Sequence, residues 1–220
     1  PDRAKNFSLA TGDLYFDYSK NRVTDETMDR LFDLALSVNL PAQIKAMFAG
    51  EKINVTEKRA FLHPALRAPK NATFEVNGRD VTDKIHKVLK RKEEFSKEVR
   101  SGKGLGATGK PNNNVINIGM GGSDLGPYMT VHALAAYGHT DLNVDFISNV
   151  DGADFIETTR GLDPEETLFI IASKSFTTDE TMTNAYTARR WVVEAIGEEG
   201  LDRHFVAAST NKKAVKEFGI

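Results

Sequence analysis

The sequence predicts an α/β protein: a three-layer α/β/α domain on a mostly parallel sheet, preceded by a β-hairpin and a helical arm. Three observations carry that expectation. From residue 114 onward, short apolar runs at 115–118, 144–147, 168–172 and 205–208 alternate with helix-period segments at 125–137, 153–159, 179–196 and 212–218, which is the pattern of βαβ units. Parallel neighbours need crossovers, and right-handed crossovers stack helices on both faces of the sheet. The 220 residues are 40% hydrophobic and 27% charged, the balance of an ordinary globular chain.

The first hundred residues follow another plan. "FSLATGDLYFDYSKN" (7–21) alternates apolar and polar residues around Gly12-Asp13, which predicts a hairpin. "TDETMDRLFDLALSV" (24–38) opens on Thr24, has Glu26 and Thr27 in its first turn, and sets Met28, Leu31, Phe32, Ala35 and Leu36 at helical spacing. These features predict an amphipathic helix. "VTDKIHKVLKRKEEFSKEVR" (81–100) is a second, polar helix with Ile85, Val88, Leu89 and Phe95 on one side, and a Gly-Lys-Gly-Leu-Gly stretch (102–106) ends it. The expected division is therefore an arm at 1–103 and an α/β domain at 104–220. An open sheet with a fresh edge near residue 220 leads us to expect that the natural polypeptide continues.

Charge and composition exclude several functions. The net charge is −2 and Lys and Arg are scattered, so no nucleic-acid partner is expected. The absence of cysteine removes disulfides, thiol nucleophiles and thiolate metal sites, and fits a reducing cytoplasm. The five histidines, 63, 86, 132, 139 and 204, form no metal-ligand pair, and neither a metal nor an organic cofactor is expected. No apolar stretch approaches the ~18 residues of a membrane span, and no signal peptide is recognisable. Three Asn-x-Ser/Thr triplets, at Asn6, Asn54 and Asn71, read as chance matches.

Two stretches carry chemistry. "NVINIGMGGSDLGP" (114–127) places Gly119-Met120-Gly121-Gly122-Ser123 between a strand and a helix beginning near Asp124. Glycines permit positive φ and leave no Cβ in the way of a ligand, and a helix start favours an anion or a hydroxyl. Asp124 suits an N-cap, and Pro127 a first turn. A tight turn with no ligand explains the same residues. A dinucleotide G-x-G-x-x-G would need glycine at Asp124, and "GLGATGKP" (104–111) fails as a P-loop because Pro111 replaces the hydroxyl and the loop precedes its strand.

"TLFIIASKSFTTDET" (167–181) repeats the strand–turn–helix plan with hydroxyls at Ser173, Ser175, Thr177, Thr178 and Thr181 around Lys174. Thr177 and Glu180 stand at capping-box spacing. Capping leaves Ser173, Lys174 and Ser175 unexplained, whereas a phosphate monoester dianion needs such hydroxyls, one ammonium and a helix N-terminus. Four charge-assisted hydrogen bonds give roughly 6–12 kcal/mol gross. Association costs of ~4–15 kcal/mol leave an affinity near millimolar.

These stretches, together with "DYSKNRVTDET", "NVTEKRAFLHPALR" and "FISNVDGADF", resemble the glucose-6-phosphate isomerase (phosphoglucose isomerase) family, in family order over nearly the whole chain. The resemblance implies a sugar-isomerase (SIS) type, flavodoxin-like fold. It implies that Gly122, Ser123 and Asp124 contact the sugar phosphate. Ser173, Lys174, Ser175 and Thr178 match the phosphate pocket, with Phe176 and Thr177 completing that loop. Ser175 stands where the family usually has threonine, and Met120 where isoleucine is usual. The segment ahead of Phe7 looks short for the family.

The resemblance further implies glucose 6-phosphate and fructose 6-phosphate as substrates, a cytoplasmic, homodimeric parent enzyme, and no cofactor, nucleic acid or membrane. The family's Gly-Gly-Arg motif, base glutamate, ring-opening histidine and C-terminal lysine match nothing up to Ile220. No catalytic residue is assigned, Glu180 is expected to cap a helix or orient the pocket, and the chain alone is expected to grip phosphate without isomerising it. A non-catalytic sugar-phosphate-sensing domain is the alternative, and a nucleotide-binding domain comes third.

Overall fold

A computed structural model describes residues 2–220. Its contacts divide the chain into two compact units, one running to Leu89 and the other Lys90–Ile220.

In the first unit, α1 (Arg3–Asn6) leads into a hairpin of β1 (Ser8–Thr11) and β2 (Leu14–Asp17). The turn uses Gly12 at φ 54. Arg3 fastens the hairpin's exit: its guanidinium donates to the carbonyls of Ser19 (2.6 Å), Asn21 (2.7 Å) and Val23 (2.8 Å) and lies 4.4 Å from the Phe7 ring. Helix α2 (Asp25–Ser37) starts where expected. Thr24 and Thr27 cap each other reciprocally there, threonine taking the place more often held by Glu or Gln.

Helices α3 (Leu40–Phe48) and α4 (His63–Arg67) and the short pair β3 (Glu75–Val76) and β4 (Arg79–Asp80) were not expected from the sequence. Helix α4 and the strands β3 and β4, two to five residues each, are too short to show a period. The β3–β4 turn is nevertheless an Asn77-Gly78 with φ of 53° and 69°, the left-handed pair a tight hairpin requires.

Helix α5 (Thr82–Arg100) runs across the division between the units. The second unit then reads β5 (Asn114–Gly119), α6 (Gly122–Ala133), β6 (Asn143–Ile147), α7 (Gly152–Thr159), β7 (Thr167–Ala172), α8 (Asp179–Ile196), β8 (Phe205–Ala208) and α9 (Lys212–Phe218). All three ladders are parallel, in the order β6-β5-β7-β8. The chain winds from β5 outward to β6 and then crosses back to β7. The gap between β5 and β7 is therefore the switch point of an open α/β sheet, where ligands bind outside the carboxyl ends of the strands.

The core beneath that edge is apolar and buried. Ile116, Ile118, Ile147, Phe169 and Ile171 are fully buried on the sheet, against Ala185, Ala188 and Val192 of α8. Phe169 stacks on Phe205 at 5.2 Å and meets Trp191 edge-on at 6.0 Å. His204 is a structural pin in this core, with no exposure. Its Nε2 accepts the Ala107 N–H (2.9 Å), so its proton sits on Nδ1 and is donated to the Thr167 carbonyl (2.9 Å). Among the described residues no helix is long and apolar enough to cross a membrane.

Candidate functional site

Gly119 and Ala172 are the last paired residues of β5 and β7. The two loops singled out in the sequence therefore leave the same edge of the sheet side by side, at the switch point.

In the first loop the glycines have separable reasons. A Cβ on Gly119 would stand 2.5 Å from the Ser123 carbonyl oxygen, so the turn can fold back over the strand only on glycine. Gly121 sits at φ 56, ψ −121, a conformation closed to side chains. Gly122 is different. Its φ is not left-handed, and nothing lies within 4 Å of where its Cβ would be.

Two expectations about this loop are corrected. The N-cap of α6 is Gly121, so Asp124 lies inside the first turn instead of capping it. Asp124 is 7% exposed, and its Oδ1 meets no hydrogen-bond partner among the described residues. Because the helix begins that early, Pro127 falls in the second turn, where it cannot donate to the carbonyl four residues back. That carbonyl belongs to Ser123, and buried Asn117 of β5 donates its Nδ2 to it instead, at 3.1 Å. A polar side chain inside the sheet thus supplies the hydrogen bond the proline removes.

In the second loop Ser173 is buried, and its Oγ accepts the Phe176 N–H (3.1 Å) and lies 3.3 Å from Thr178 Oγ1. The expected Thr177–Glu180 capping box does not form. Helix α8 begins one residue later than the box requires, with Thr178 as the N-cap and no side-chain cap bond. Thr177 instead donates to Ser175 Oγ at 2.8 Å. Phe176 holds φ 56, a conformation costing ~1–3 kcal/mol in a bulky residue. Its ring, 3% exposed and edge-on to Phe218 at 5.8 Å, anchors the loop in the core. Only its main chain is left for the surface.

The structure thus brings Ser173 and Thr178 into contact, joins Ser175 to Thr177, and sets Gly122, Ser123 and Asp124 at the end of the neighbouring strand. Lys174 and Ser175 are exposed at the tip. The sequence reading missed the turn after β8, Ser209-Thr210-Asn211, whose side chains reach the main chain of the second loop. Its signal was a third cluster of hydroxyls and amides at a strand tip. It also missed Asp154, which accepts the N–H groups of Ser148 (3.1 Å) and Asn149 (2.9 Å), and buried Asn184 of α8, which donates to the Asn149 carbonyl (2.8 Å). These bonds shape the loop after β6. No cluster of three metal-ligating side chains is found among the described residues.

Residues 17–220 match the family model of phosphoglucose isomerase. The chain belongs to the phosphoglucose isomerase family. It is 55% identical to the glucose-6-phosphate isomerase of Roseiflexus sp. (strain RS-1) and 56% identical to that of Nitrosospira multiformis, over 221 residues in each case. Each alignment takes in all of this chain and 41% of the relative, so the chain spans about two fifths of their length. The crystal structure of a glucose-6-phosphate isomerase from Chlamydia trachomatis superposes with a TM-score of 0.73 at 26% identity, covering 96% of this chain and 40% of that one.

In this member of the phosphoglucose isomerase family, the lysine of the P-loop-like stretch has another occupation. Lys110 Nζ lies 2.8 Å from Asp163 and 3.1 Å from Glu165. The hydrogen bond from Lys110, helped by the Glu165 N–H, holds the Asp163 carboxyl below the ordinary carboxylate range. Hydrogen bonds to Asp163 and then Glu165 push the Lys110 ammonium above its usual value. The stretch is tied down ahead of β5 by two carboxylates, with no helix start behind it.

Proposed function

We propose that this chain carries the sugar-phosphate-gripping part of a glucose-6-phosphate isomerase, the aldose–ketose isomerase that interconverts glucose 6-phosphate and fructose 6-phosphate. The observation that supports this most is the adjacency of the two loops at the β5–β7 switch point. The Ser173, Ser175 and Thr178 hydroxyls, the Lys174 ammonium and the start of α8 serve as donors for the phosphate dianion. Phe176 and Thr177 hold that loop in shape. The open space over Gly122 takes the sugar, with Ser123 and Asp124 beside it.

Isomerisation also requires a base at C1–C2, stabilisation of the enediolate, and an acid for ring opening. We assign none of these to residues 1–220. The full enzyme supplies them, acting as a cytoplasmic homodimer without a cofactor, and the functional division lies at 103/104. Calorimetric titration of the 220-residue chain with fructose 6-phosphate should give a Kd near millimolar, with no isomerase turnover. Thr178→Val should raise that Kd at least about ten-fold, the effect of one hydrogen bond to a charged group, with the urea midpoint nearly unchanged. Unaltered affinity in Thr178→Val and Ser173→Ala would place the phosphate elsewhere, and turnover by the chain would refute its division of labour.

A further inference from the structure

The turn after β8 has no side chain among the sugar-phosphate donors named above, yet it spends most of its polar groups on their backbone. Ser209 Oγ (3.1 Å), Thr210 N–H (3.1 Å) and Thr210 Oγ1 (2.9 Å) all donate to one acceptor, the Lys174 carbonyl. Asn211 Nδ2 donates to the next carbonyl, that of Ser175, at 2.9 Å. The turn is itself braced, because the Asn211 N–H donates to Ser209 Oγ (3.1 Å) and Asn211 Oδ1 caps α9 through the Ala214 N–H (3.2 Å). Three donors on a single carbonyl oxygen go beyond what saturating that oxygen requires. What they do is fix the direction of a peptide plane.

That direction has a consequence. No peptide bond among the described residues is cis, and in a planar trans peptide the N–H points opposite to the carbonyl before it. In the strand order β6-β5-β7-β8, β8 and β5 flank β7 on opposite sides. Drawing the Lys174 and Ser175 carbonyls toward the β8 turn therefore swings the N–H groups of Ser175 and Phe176 toward the β5 side, where the Gly121-Gly122-Ser123 loop ends. The Phe176 N–H is taken by Ser173 Oγ. The Ser175 N–H has no acceptor among the described residues, while the Ser175 carbonyl and hydroxyl are both bonded.

We infer that Ser209, Thr210 and Asn211 form a positioning turn that aims the Ser175 main-chain N–H into the sugar-phosphate site. The phosphate is then held by a backbone donor as well as by hydroxyls. This rests on the sugar-phosphate reading of the site and adds a residue set that acts only through the loop it holds. The Ser175 hydroxyl accepts from Thr177, which leaves its own proton for the same anion that takes the amide.

The test is an amide-resolved NMR titration of the ¹⁵N-labelled 220-residue chain with fructose 6-phosphate and, separately, with inorganic phosphate. The Ser175 amide should shift saturably with both probes. Thr210→Val should weaken both by about five-fold, the scale of one neutral hydrogen bond, and reduce the Ser175 shift at saturation. Thr210→Ser, which keeps the hydroxyl, should restore them. A Ser175 amide that stays still while Ser173 and Thr178 respond would overturn the inference, as would wild-type affinity in Thr210→Val. Failure of the wild-type chain to bind either probe marks a different failure, that of the sugar-phosphate reading, and the inference falls with it.

Discussion

Gly119 and Gly122 stand three residues apart in one turn and answer to different neighbours. A methyl group on Gly119 meets a backbone oxygen at 2.5 Å, which cannot move without moving α6. A methyl group on Gly122 meets nothing within 4 Å among the described residues. Gly119→Ala should therefore destabilise by about 1–3 kcal/mol, the usual cost of overpacking. Gly122→Ala should leave the urea midpoint unchanged or raise stability by up to ~1 kcal/mol, as alanine does in a helix, yet weaken fructose 6-phosphate binding. Full affinity in Gly122→Ala would show that the open space is not the ligand's. The sequence flagged both glycines, but it could not separate the one serving the chain from the one leaving room. That distinction depends on where Ser123 comes to lie, which is a property of the folded turn. Asn117 was hidden for a related reason: a lone Asn in an apolar run declares itself only once Pro127 is seen to leave the Ser123 carbonyl unpaired.

Loop 104–111 offers a test of how one connection is held. Asp163 is held below the ordinary carboxylate range by Lys110, so its contribution to stability is complete above about pH 4 and is lost as pH falls through its lowered folded value. Lys110 is raised, so its contribution is complete below about pH 10 and is lost only as pH rises through its folded value. Urea midpoints of wild type and Lys110→Met should therefore differ by a constant amount across neutral pH, and the gap should close as pH drops below 4. Both side chains are more than 40% exposed, so the gap should be small and shrink in salt. A gap that widens in acid would contradict the pairing. The alternation of strands and helices from 114 onward was legible because buried parallel strands read as apolar runs. The Ser209-Thr210-Asn211 turn was not legible as part of the site. Its role exists only because β8 lies next to β7, and strand order is written in no local pattern.

Burial is uneven along the chain, and its distribution sets what the site is built on. Ile116, Ile118, Phe169, Ile171 and Phe205 are essentially sealed from solvent, whereas α2 and α3 bury no residue and leave Phe32 and Phe48 61% and 62% exposed. At roughly 25 cal/mol per Å² of apolar surface buried, stabilisation concentrates in β5, β7 and α8, the elements that carry the two loops. Local opening energies follow burial and packing, so native-state hydrogen exchange should be slowest in β5 and β7 and fastest among the helical amides in α2 and α3. A ligand bound only to the folded state slows global exchange by a factor of one plus the ratio of its free concentration to its Kd, about ten-fold at ten times its Kd. Fructose 6-phosphate at that excess should slow exchange about ten-fold in β5 and β7, whose amides open only with the whole domain. It should leave α2 and α3, which open locally, unchanged. Equal slowing in both sets would mean that the chain opens as one cooperative body, and no slowing in β5 and β7 would separate the sugar phosphate from the switch point altogether.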